Sequence, residues 1–170
     1  MLFPNHQPAS SLTYRPVYSN HAAAASTEGD YQDLGDDWVR EQIEGILKTL
    51  SPGSLEPESA WGTYLNKIDA IRETGLYKRF LELSPEYNSM VVKAILNSMM
   101  RYSHDELKPG EEEYLLKQLS SGDLSVQEVA VGVLDAWGKF SDIDKLENIS
   151  IGDKFLQEDL LEYINEQRTT

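Results

Sequence analysis

No cysteine occurs among the 170 residues, which excludes disulfide staples, thiolate nucleophiles and cysteine-ligated zinc. Packing must therefore hold the fold together. Basic residues are also scarce: 15 Lys and Arg stand against 29 Asp and Glu, for a formal charge of −14 at pH 7. Neutralising phosphates takes clustered cations, so direct nucleic-acid binding is not expected, and a charged partner would be a basic protein. No apolar run approaches the roughly 20 residues that a spanning helix needs, so membrane insertion is not expected either. The opening Met1-Leu2-Phe3-Pro4 carries no basic stretch, and Ala22 to Ala25 is too short and too weakly apolar for a secretory core. The expected setting is soluble and cytoplasmic. Only three histidines are present, with no pair at helical spacing, no glycine-rich phosphate loop and no serine nucleophile elbow. The expectation is a non-enzyme with no catalytic residue, no metal ligand set and no cofactor.

What is present divides at about residue 33. Residues 1–33 hold Ser, Asn, Ala and proline without an apolar period that survives two turns, which predicts an extended or disordered arm. Phe3, Tyr14, Tyr18 and Tyr31 lie on it, and Tyr14 and Tyr18, with Pro16 between them, are the candidate docking anchors. Residues 34–170 read as one helical domain. Val39, Ile43, Ile46 and Leu50 recur at three- and four-residue steps behind Asp36 and Asp37, whose carboxylates suit a helix N-terminus. A break at Ser51 to Pro57 precedes a second period through Trp61, Tyr64, Leu65, Ile68 and Ile71, ending near Gly75. A short third segment carries Leu76, Phe80 and Leu81. Ser84-Pro85 predicts a cap with proline at the first position of a fourth helix, which is apolar nearly all round from Met90 to Met100. Pro109-Gly110 opens a fifth helix, and Ser121-Gly122-Asp123 a sixth that stops at Gly138. A short segment with Ile143, Leu146 and Ile149 and a last helix from about Phe155 to Ile164 complete an all-α pattern of eight helical segments.

The chain also matches itself. Residues 91–103 align without gaps to residues 129–141: Val91 with Val129, Ile95 with Val133, Leu96 with Leu134, Met99 with Trp137, Arg101 with Lys139 and Tyr102 with Phe140. Leu81 meets Leu119 at the same offset of 38 residues, close to the period of about 40 for two-helix repeats. The turn at Ser121-Gly122-Asp123 followed by Val126, Ala130, Leu134, Trp137 and Gly138 resembles a HEAT-type repeat over residues 76–141, with residues 36–75 and 142–167 as its extension. Two positions depart from that pattern: Gln127 stands where a basic residue usually follows the valine, and Ser121 where the turn often has aspartate. The resemblance implies an α-solenoid of stacked antiparallel helix pairs, whose second helices line a partner-binding surface. The positions pointing away from the apolar stripe of those helices are Lys93, Asn97 and Arg101 in one unit, and Gln127, Val131 and Asp135 in the next.

Competing chemistry is weaker. His104-Asp105-Glu106 and Glu111 to Glu113 gather one imidazole with several carboxylates, but zinc wants more nitrogen or sulfur than this. The expected reading is a solvated loop, with the glutamates compensating a helix N-terminus. Trp61, Trp137, Phe140, Met90, Met99 and Met100 read as core. The last helix should present Phe155, Leu156, Leu160, Leu161, Tyr163 and Ile164 inward, and Glu158, Asp159, Glu162 and Glu166 outward as a cap. The functional expectation is a protein-protein interaction module, an adaptor or scaffold. Two alternatives stand beside it: an acidic inhibitor of the immunity-protein type that neutralises a basic toxin or nuclease, and a structural subunit of an assembly or virion with the arm laid on a neighbour.

Overall fold

A computed structural model describes residues 28–51 and 57–170, with side chains described for residues 34–51 and from Gly62 on. The candidate arm anchors Tyr14 and Tyr18, and the side chain of Trp61, lie outside the described residues. Among the described residues there are eight α-helices and no strand. They are α1 (Glu28–Leu50), α2 (Pro57–Arg72), α3 (Tyr77–Leu83), α4 (Ser89–Met99), α5 (Glu111–Leu119), α6 (Leu124–Trp137), α7 (Ile143–Glu147) and α8 (Lys154–Thr169). Single 3-10 turns occupy Ser84–Glu86 and His104–Glu106. The chain falls into two compact units, Met1–Asp36 and Asp37–Thr170. Of the first, only the start of α1 is described.

Two helix starts differ from the sequence reading. Helix α1 begins at Glu28, not at Asp36, so Asp36 and Asp37 sit within it and helix takes in residues 28–33 of the expected arm. The proline at Pro85 lies in the 3-10 turn, and α4 is capped instead by Asn88, whose Oδ1 accepts the Met90 N–H at 2.8 Å. A 3-10 turn tolerates proline for the same reason a first helical turn does, since the missing N–H had no partner to lose. Asp123 and Asp153 cap α6 and α8 through N–H bonds at 3.0 to 3.3 Å. Helix α6 ends on Gly138 at φ +72°, a conformation that favours a residue without Cβ.

Within the unit Asp37–Thr170, α2 packs on α4, α4 on α6, and α6 on α8. Their C-terminal ends lie together. Tyr102 and Arg101, just past α4, bond Asp69 near the end of α2 at 2.7 and 2.9 Å. Trp137 Nε1, at the end of α6, donates to the Met99 carbonyl at the end of α4 (3.1 Å), and Gln167 Nε2 of α8 donates to the Gly138 carbonyl (2.6 Å). These four helices therefore run side by side in one direction. Helix α3 packs on α5, α5 on α6 and α7 on α8. The apolar stripes meet in one core that runs from Val39 to Ile164 and includes Val133, Leu134, Trp137 and Phe140. Three apolar expectations are corrected: Met90, Phe155 and Leu161 are exposed. Met90 sits one residue past the start of α4, and Phe155 and Leu161 lie off the stripe defined by Leu160, Tyr163 and Ile164.

Candidate partner-binding face

Two polar constellations stand out. The first is interior. Arg72 ends the stripe of Ile68 and Ile71, and its guanidinium meets Glu111 as a fork, Nε to Oε1 at 2.8 Å and Nη2 to Oε2 at 3.1 Å. Tyr77 donates to Glu111 Oε1 at 2.7 Å, the Lys108 N–H to Oε2 at 2.7 Å, and Arg72 Nη2 also reaches the Glu106 carbonyl at 2.6 Å. The guanidinium stacks 3.7 Å from the Tyr102 ring centroid. Glu111 is fully buried. Burial, and then the Glu111 carboxylate, pushes the Tyr77 phenol far above its ordinary range, so the hydroxyl stays a donor at any ordinary pH. Every oxygen of Glu111 is engaged, which leaves the carboxylate nothing to offer a ligand. It ties α2, α3 and α5 together.

Beside it, the expected solvated loop is partly fastened. His104 lies within 2.6 Å of Glu112 through Nε2, and Ser141 donates to the same carboxylate through both its hydroxyl and its N–H. Lys139 pairs with Asp105 at 2.7 Å. Burial pushes the Glu112 carboxyl up, but the bonds from Ser141 and His104 outweigh it and hold the group below its ordinary value. A nucleophilic serine would need the imidazole as its base. Here the Ser141 hydroxyl donates its hydrogen bond to a carboxylate, and the trio joins the chain after α4 to the chain after α6.

The second constellation lies on the row of parallel helices. Lys93 and Asn97 of α4 are half-buried, and Arg101 is exposed and paired with Asp69. Gln127 and Val131 do not point away from the apolar stripe: both are buried, and Gln127 Nε2 donates to the Leu119 carbonyl at 2.9 Å. Helix α6 has α4, α5 and α8 around it, so its buried arc is wider than one stripe. Asp135 stays exposed at the α6–α8 junction. There the charges of Asp159 and Glu166 of α8 act on it. Partial burial, and then the charges of Asp159 and Glu166, raise its carboxyl above the ordinary value. Among the described residues no cation stands within ion-pair distance of these three carboxylates, although Lys139, Lys145, Lys154 and Arg168 all pair elsewhere.

Asp159 and Glu166 were legible as an outer acidic face, but their influence on Asp135 was not, because it depends on α8 lying against α6. No protein-family model and no solved structure matches the chain.

Proposed function

We propose that this protein is a non-enzymatic binding module, built as a HEAT-like array of stacked helix pairs, that captures a basic protein on its row of parallel second helices. The carrying observation is the acidity of the α6–α8 junction, where the exposed Asp135 is under the influence of the Asp159 and Glu166 charges and, among the described residues, no cation is paired with any of the three. Like charges held together raise the free energy of the unbound protein, and a cationic partner would relieve that repulsion on binding. The array is supported by the Trp137 to Met99 bond, which joins two residues at the repeat offset of 38, and by the side-by-side order of α2, α4, α6 and α8. Arg101 and Asn97 extend the same row toward α2. An inhibitor of a basic toxin or nuclease would use the same carboxylates.

The test is capture from native lysate at low and high salt by the full chain and by an Asp159→Lys/Glu166→Lys variant. Basic proteins should be enriched on the wild type, released by salt, and lost from the variant at unchanged melting temperature. Equal capture by both chains would overturn the reading.

A further inference from the structure

We infer that the open cleft between the end of α2 and the start of α3 is a seat for a phosphoryl group, held by Arg72, Lys78 and Lys108. This goes beyond the protein-binding reading and uses none of its residues. Two independent observations carry it.

The first is a local gathering of cations in an acidic chain. The cleft measures about 330 Å³, and Arg72, Glu73, Thr74, Gly75, Lys78 and Lys108 are among the residues that line it. Its three cations come from three elements: Arg72 closes α2, Lys78 is the second residue of α3, and Lys108 lies in the loop before α5. Among the described residues the Lys78 ammonium is in no ion pair. Lys108 has Glu73 at 3.4 Å, whose side chain is 69% exposed. A pair so open to water contributes little, and a bound anion can take the place of that carboxylate.

The second is a buried guanidinium with a spare edge. Arg72 is 5% exposed, and its Nε and Nη2 are committed to Glu111 and to the Glu106 carbonyl. Its Nη1 makes no hydrogen bond among the described residues. Nor is that atom sealed off, since the buried side-chain nitrogens and oxygens without a partner there are Ser98 Oγ and the Tyr163 hydroxyl alone. Nη1 therefore touches solvent, and the cleft is what Arg72 lines. Glu111 fixes the edge of the guanidinium and Tyr102 its face, so the spare N–H groups are held in place before a ligand arrives.

A phosphoryl group fits this arrangement. It carries about −1.5 to −2 charge near pH 7 and three acceptor oxygens, one for each cation. A carboxylate is planar, with two oxygens and one charge, and leaves one cation unmatched. The net charge of −14 opposes any anion at long range, so the affinity rests on these short contacts.

The experiment titrates the full chain, uniformly labelled with nitrogen-15, with inorganic phosphate and separately with acetate at constant ionic strength. Phosphate should move the amide signals of Thr74, Gly75, Lys78 and Lys108 and the guanidinium signals of Arg72 to saturation. It should bind roughly tenfold tighter than acetate, the worth of one more charge-assisted bond. Lys78→Gln and Lys108→Gln should each weaken phosphate about fivefold at unchanged melting temperature, and Lys154→Gln on α8 should leave the affinity as it was. Glycerol phosphate, in a further arm, separates the two sources: tighter binding than inorganic phosphate assigns the seat to an organic monoester, weaker binding to the free ion. Shifts that never saturate, an affinity untouched in both cleft variants, or equal affinities for phosphate and acetate would each overturn the phosphoryl seat. The lysate comparison shares none of these residues, so the two readings fail separately.

Discussion

At the scale of single residues, Glu111 has the largest expected effect on stability. A buried carboxylate facing a buried guanidinium contributes little net stability relative to a well-packed apolar pair, yet removing one partner alone strands a charge. Glu111→Ala should therefore cost about 3 to 5 kcal/mol in urea unfolding. Tyr77→Phe, which removes one bond to the charged group, should cost about 2 kcal/mol. The double change Arg72→Met/Glu111→Leu should recover much of the loss of the single variant, and a double variant as unstable as Glu111→Ala would show that the pair itself is indispensable. Glu111 was readable from the sequence, but by a signal different from the one that dominated. It heads the stripe Tyr114, Leu115, Gln118 and Leu119 at helical spacing, which places it inward. Three consecutive glutamates in a first turn suggest dipole compensation instead, and the stripe outweighs that. Asp135 has the opposite sign. Its carboxyl is raised by burial and then by Asp159 and Glu166, so its charged form destabilises the fold, an effect absent below its ordinary value of 3.8 and growing as pH rises through the raised one. Asp135→Asn should thus melt higher than the wild type at pH 7 and equal to it near pH 3, as followed by circular dichroism. A gain that persisted at pH 3 would assign the effect to packing, not to charge.

At the scale of elements, periodicity located the eight helices of the described residues but not their ends. Ends depend on caps, and caps compete locally: Ser84-Pro85 and Asn88 both offer a start, and the 3-10 turn takes the first while α4 takes the second. The start of α1 at Glu28 is hidden from a reading by period, because Glu28 to Asp33 has no apolar period to follow. Caps that are read directly, such as Asp153, can be tested. It accepts the Phe155 and Leu156 N–H groups at 3.0 Å each, and Asp153→Ala should cost about 1 kcal/mol, whereas Asp153→Asn should cost clearly less because the amide oxygen still accepts. Both are measurable by thermal melts. Equal losses for the two variants would point to the carboxylate charge at the helix N-terminus and away from the cap bonds.

At the scale of the whole molecule, the 38-residue offset is legible in the sequence because α4 and α6 carry nearly the same apolar stripe. The width of that stripe on α6 was not. Gln127 and Val131 look outward on a single-helix projection, and they are buried because α4, α5 and α8 surround α6. An interior polar residue then needs a partner, and Gln127 finds the Leu119 carbonyl. Charge also acts at this scale. With a net charge of −14, the chain carries long-range self-repulsion that it partly escapes on unfolding. The Debye length shrinks from about 30 Å at 0.01 M to about 10 Å at 0.1 M salt, so added sodium chloride should raise the melting temperature over that range. The increase should be smaller in an Asp135→Asn/Asp159→Asn variant, because that pair contributes part of the repulsion that salt relieves in the wild type. Were the two chains to respond identically, the repulsion would be spread over the whole surface, and the α6–α8 junction would lose its special claim to a cationic partner.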